Sequence, residues 1–175
     1  VSTTHRHLHF IDQVIGKKKG CNVYAAMNAL VLPGRQIFLV DTHVNVDPTA
    51  EELAAITIMA AEEVRRFGVE PKVALVSHSN FGTSNAPSAQ KMRDALEMIL
   101  SKAPKLQVEG EMRADSALSK SIRDAEFPDS RLTADANLKT AIINLGYTKI
   151  VSPITGEAGR SKLTKGNVVS PDAGV

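Results

Sequence analysis

Apolar residues fall into two rhythms along this chain. In VALV at 73–76, and in RQIFLVDT at 35–42, they follow one another almost without a polar break. A strand buried on both faces reads this way, so both segments are predicted as inner strands of a sheet covered by helices. Between them Leu53, Ile56, Ala60, Val64 and Phe67 recur every three or four positions, the spacing of one helical face, and Gly68 stops the run. Pro48, Thr49, Glu51 and Glu52 mark the start of that helix, with the proline expected in its first turn and the acids beside the positive end of its dipole. The same rules give a helix closing at Gly16, a strand in VYAAMNALVLPG ending at Pro33-Gly34, a helix over 87–102, a strand in KLQVEGEM, a helix near 116–125 and a loop in FPDSRLTADAN. Strands and helices alternate with no repeat or low-complexity linker from Gly20 to about Asn137. That order predicts a three-layer α/β unit with a mainly parallel sheet.

Composition narrows the partners more than the fold. With 43% hydrophobic and 23% charged residues in 175, the chain is an ordinary globular one, and 4% aromatics without tryptophan point to an aliphatic core. The 21 basic and 19 acidic residues leave a formal charge of +2, too even to form the basic face a nucleic-acid partner needs. Cys21 stands alone, which excludes an internal disulfide and CxxC metal sites, fits a reducing cytoplasm, and makes a buried inert thiol the expectation. No apolar run is long enough for a membrane span and no signal peptide is legible. His5, His7, His9, His43 and His78 lack metal-ligand spacing. The chain opens at Val1, without methionine and inside a helical pattern, so it reads as a fragment of something longer.

Chemistry is legible where the strands stop. Polar residues gather at LVDTHVNVDPTAEELA (39–54), LVSHSNFGTS (75–84) and VEGEMRADSAL (108–118), and the ends of parallel strands are where α/β proteins bind ligands. The richest is the loop carrying Ser77, Ser79, Asn80, Gly82, Thr83 and Ser84 ahead of a helix. Hydroxyls, a glycine and a helix N-terminus suit an anion such as phosphate. The same residues also read as a polar turn in which Asn80 and Ser88 serve as helix caps. Asp41 and Asp115 line the same region, although carboxylates after strands more often brace loops.

The wording of these segments resembles the phosphate acetyl/butyryltransferase family: Asp-Thr after a strand with Pro-Thr before a helix, Ser-x-Ser-x-x-Gly-x-Ser, and Gly-Glu-Met-x-Ala-Asp followed by Ala-Leu. PKVALVSHSNFGTS, SAQKM and GEMRADSAL look closest to the branch fused behind NADP-dependent malic enzymes. The resemblance implies one lobe of a two-lobed fold over residues 1–137, with 138–175 left as a C-terminal segment of unclear assignment. It further implies a small-molecule ligand, coenzyme A, acetyl-CoA or phosphate, lined by Ser77, Ser79, Asn80, Gly82, Thr83, Ser84, Asp41, Thr42, Arg113 and Asp115. NADP and a divalent metal would belong to a dehydrogenase domain outside this segment. A homodimer or larger homo-oligomer is implied, for which the alanine-rich helix 53–67 is a candidate face. After Asn137 the family's Ser-Arg-Gly and following aspartate are not legible: Gly159-Arg160-Ser161 has the residue types in another order, and Asp172 has no frame. Three readings therefore stand: a regulatory acetyl-CoA-binding module of a malic enzyme, a working phosphate acetyltransferase, or an oligomerisation domain.

Overall fold

A computed structural model describes residues 3–132 and 140–145. The expectations for 133–137 and for the stretch from Ser152 to Asp172 lie outside these residues. The elements are α1 (Thr3–Val14), β1 (Met27–Leu32), β2 (Arg35–Val40), α2 (Ala50–Arg66), β3 (Lys72–Val76), α3 (Pro87–Lys102), β4 (Gln107–Met112), α4 (Ala114–Leu118), α5 (Lys120–Glu126) and β5 (Thr140–Leu145).

The five strands form one sheet in the order β1-β2-β5-β3-β4. Only β1 and β2 run antiparallel, joined by the two-residue turn Pro33-Gly34 between the paired Leu32 and Arg35; Gly34 takes φ +75°, open to glycine at no steric cost. The other three pairings are parallel, so the α/β, mainly parallel expectation holds. Residues 140–145, from the segment left unassigned by the sequence, supply the strand between β2 and β3. Ile37 pairs with Ala141 on one side and Val73 with Ile142 on the other.

Helices cover both faces. On one, Phe38, Val40, Val73, Leu75 and Val108 meet Leu53, Ile56 and Val64 of α2 and Met92, Ala95 and Ile99 of α3. On the other, Ile37, Ala74, Val76 and Met112 meet Ala117 of α4 and Leu132. Burying one aliphatic side chain contributes roughly 1.5–3 kcal/mol, so these two clusters hold the layers together. The apolar face of α2, a candidate contact between copies, is thus consumed by the chain's own core.

Several local expectations change. Pro48 sits before α2, whose N-cap is Thr49: Thr49 Oγ1 accepts from Glu52 N at 3.2 Å and Glu52 Oε2 accepts from Thr49 N at 2.9 Å, a reciprocal capping box. Phe67 leaves the stripe, serving as C-cap and stacking on Phe38 at 6.1 Å. The expected helix near 116–125 is two short ones, because Ser119 ends α4 and caps α5 by accepting from Ile122 N. The expected strand over 23–34 shrinks to β1, an edge strand exposed over most of its length.

At β4 the alternation breaks. Leu75 pairs with Gly110 but Val76 with Met112, so two residues of β4 oppose one step of β3. Such a bulge shifts the side-chain phase by one. Met112 therefore joins the α4 face, and Glu111 is turned toward α3.

Candidate functional site

Because β2, β5, β3 and β4 are parallel, their C-terminal ends lie on one edge, and the loops after β2, β3 and β4 meet there. The three polar segments legible in the sequence are brought together as expected. An ion pair from Lys91 of α3 to Asp47 ties the 41–49 loop to the helix that follows the serine loop.

The serine loop is not a free string of hydroxyls. Ser79 is buried and donates its hydroxyl to Glu111 Oε1 at 2.7 Å. Gly82 N–H points at the same oxygen at 3.4 Å, and Phe81 N donates to Glu111 O at 2.7 Å. A tight turn closes through Thr83 N to Asn80 O at 3.0 Å and Asn80 N to Thr83 Oγ1 at 3.2 Å. Phe81 (φ +39°) and Gly82 (φ +83°) both take left-handed backbone there. Asn80 Oδ1 accepts from Arg113 N at 2.7 Å, and Phe81 packs edge-on against Phe127 at 4.4 Å. The caps expected at Asn80 and Ser88 do not form: Ala86 is the N-cap of α3 without a side-chain bond, and Ser84 Oγ accepts from Ala86 N at 3.2 Å.

The outward side retains chemistry. His78 lies between two hydroxyls, with Nε2 3.1 Å from Ser84 Oγ and Nδ1 3.4 Å from Ser77 Oγ. A neutral imidazole has one N–H and one lone pair, so His78 accepts the proton of one of these hydroxyls and donates to the other. The hydroxyl that accepts from the ring keeps its own proton for a ligand. Thr83 and Gly82 are exposed, and Thr83 Oγ1, an acceptor within the turn, still carries a proton.

Two residues that sequence reasoning missed organise this loop. Glu111 is fully buried, and Arg93 of α3 donates Nη1 to both its oxygens, at 2.8 and 2.6 Å. The same guanidinium reaches Ser84 O from Nη1 at 3.2 Å and from Nη2 at 3.1 Å, and donates Nη2 to Gln90 Oε1 at 2.8 Å. A signal was available: Glu111 is an acid inside a strand between a glycine and a methionine, and Arg93 stands four residues after Ala89 on the border of the apolar stripe.

Asp41 is almost fully buried and is a loop brace. It accepts from Ala26 N at 3.0 Å, His43 N at 3.4 Å, Val44 N at 3.2 Å, Asn45 N at 2.8 Å and Asn45 Nδ2 at 2.6 Å. Its lone pairs are committed inward. Thr42 Oγ1 accepts from Asn28 Nδ2 at 2.9 Å and contacts His43 Nδ1 at 2.9 Å. Arg113 and Asp115 pair with each other, half exposed, at the end of β4. Among the described residues no three histidine, cysteine, aspartate or glutamate side chains gather as a metal site.

A family model described as phosphate acetyl/butaryl transferase matches residues 1–140. The chain belongs to that family. NADP-dependent malic enzyme of Escherichia coli is 52% identical over 138 residues, covering 79% of this chain and 18% of that protein. Phosphate acetyltransferase of Paracoccus denitrificans is 36% identical over 167 residues, covering 89% of this chain and 52% of that protein. A crystal structure of a phosphotransacetylase from Streptococcus pyogenes superposes with a TM-score of 0.71 at 29% identity, covering 82% of this chain and 44% of that one. The chain thus spans less than a fifth of the malic enzyme and about half of the shorter transferases.

Proposed function

We propose that this chain is the phosphotransacetylase-like part of a malic-enzyme-type polypeptide and binds acetyl-CoA, or the phosphate it carries, at the outward side of the serine loop. The observation that carries this reading is the edge itself: parallel strand ends deliver Ser77, Thr83 and Ser84 to the mouth of a 16-residue helix, where an anion is favoured. Asn80, Gly82, Thr42, Arg113 and Asp115 line the same edge, with Arg113 a half-exposed cation paired to Asp115. Ser79 and Asp41 act from beneath, as frame. Identity of 52% to a malic enzyme supports the polypeptide class. NADP and a divalent metal are assigned to a dehydrogenase portion outside this segment, in a cytoplasmic protein that self-associates.

These groups bind and orient an anion. Binding without turnover, a regulatory role, is the reading adopted. Calorimetry of the full chain with acetyl-CoA is expected to give heat that disappears in Ser77→Ala/Ser84→Ala, while an acetyl phosphate and coenzyme A assay stays at background. Absent heat with folded protein would overturn the binding reading, and robust turnover would replace the regulatory reading with the transferase one.

A further inference from the structure

Beneath the loop, the carboxylate of Glu111 holds Ser79 Oγ and Gly82 N–H on one oxygen, while Arg93 reaches both its oxygens and the Ser84 carbonyl. These contacts span the loop from its second serine to its last. We infer that Glu111, fixed by Arg93, is a positioning residue that sets the conformation of the serine loop. A buried carboxylate with every oxygen engaged, both of them by one guanidinium nitrogen, is rigid, and it defines one geometry for the groups bonded to it. The bulge at Gly110 makes this possible by turning Glu111 to the α3 side. The pair also explains why the Ser79 hydroxyl and the Gly82 N–H, ligand donors by sequence, point inward: their protons are the grips by which the frame holds the loop. Hydroxyls on the outer side, Ser77, Thr83 and Ser84, then present a fixed constellation at no ordering cost to a ligand.

The inference rests on the anion-binding reading only for its ligand consequence, and its test is independent of ligand. Two neutral pairs are compared in the full chain: Arg93→Met/Glu111→Leu and Arg93→Met/Glu111→Gln. Neither leaves a buried unpaired charge, so both are expected to fold. Only the glutamine retains an acceptor for Ser79 and Gly82. Amide hydrogen exchange at Gly82 and Thr83 is expected to accelerate about ten-fold or more in the leucine pair, the factor that follows from losing one charge-assisted bond, and by a clearly smaller factor in the glutamine pair, which loses Arg93 but keeps the acceptor. Exchange in α2 and β3 should be unchanged in both. Equal loop protection in the two pairs would overturn the inference, as would acceleration spread evenly over the whole chain. Acetyl-CoA and inorganic phosphate are then titrated into each: weaker binding in the leucine pair alone supports the link to the ligand. If wild type binds neither, the proposed function fails while the exchange data still decide the role of Glu111.

Discussion

Two buried carboxylates sit at the ends of β2 and β4, with β5 and β3 between them in the sheet, and are neutralised in opposite ways. Asp41, after β2, receives four backbone N–H groups and one amide side chain, none of them a cation. Glu111, in the bulge of β4, receives one backbone N–H, one hydroxyl and a guanidinium. The first cradle is made of the local chain, so its charge is spread over many small dipoles. The second depends on a single cation from another element. Loss of one partner should therefore be absorbed at Asp41 and felt at Glu111, since an uncompensated buried charge costs far more than one missing hydrogen bond.

The largest effect is expected where the bulge itself is attacked. A Cβ at Gly110 would lie 2.6 Å from Leu75 O and 2.7 Å from Leu75 Cβ, with φ at +149°. Gly110→Ala should destabilise by more than about 4 kcal/mol, the range of severe backbone clashes. Urea unfolding measures it, and a midpoint near wild type would show that β4 needs no bulge to deliver Glu111.

Removing one partner from each carboxylate comes next. Arg93→Met should cost about 3 kcal/mol, the low end for a broken buried pair because the arginine is itself partly hydrated. Asn45→Ala removes the shortest contact to Asp41, together with the Nδ2 bond to Tyr24 O at 2.7 Å, and should cost only about 1–2 kcal/mol, because the backbone donors to Asp41 remain. Equal losses in the two variants would erase the distinction between the cradles.

Thr49→Ala probes the far end of the loop that Asp41 begins. Loss of the capping box should lower stability by about 1 kcal/mol and leave anion binding at the serine loop unchanged. A change in binding larger than about two-fold, equivalent to a few tenths of a kcal/mol, would mean that the two loops are coupled through Lys91 and Asp47.

The smallest effect is a pH dependence at the outer rim of the Asp41 side. The Tyr24 hydroxyl, bonded to Asp12 at 2.8 Å, and then Lys17 hold the Asp12 carboxyl below its ordinary pKa. A lowered folded pKa gives stability that is present above the unfolded value and lost as pH falls through the folded one. Tyr24→Phe should flatten this acid-side slope slightly, because the group is exposed and screened. An unchanged slope in thermal melts between neutral and acid pH would remove Asp12 from the account.

Much of this architecture was legible from residue order. The helix expected over 87–102 is α3 at the bounds it adopts, since helix ends are local properties. The unbroken apolar runs at β2 and β3 announced two-sided burial and a parallel sheet, and from that the shared edge of the three polar segments followed. Their motifs pointed to the family that the comparison bears out.

Three features waited for the tertiary structure. Residues 140–145 form an inner strand, yet nothing in their pattern says between which partners they insert. Glu111 meets Arg93 across 18 residues and Ser79 across 32, and the serines divide into inward grips and outward donors only once that contact exists. Periodicity reports which face of an element is apolar. It cannot say which distant charge that face will meet, because strand order sets the neighbours and a one-residue bulge reverses the side on which every later side chain falls.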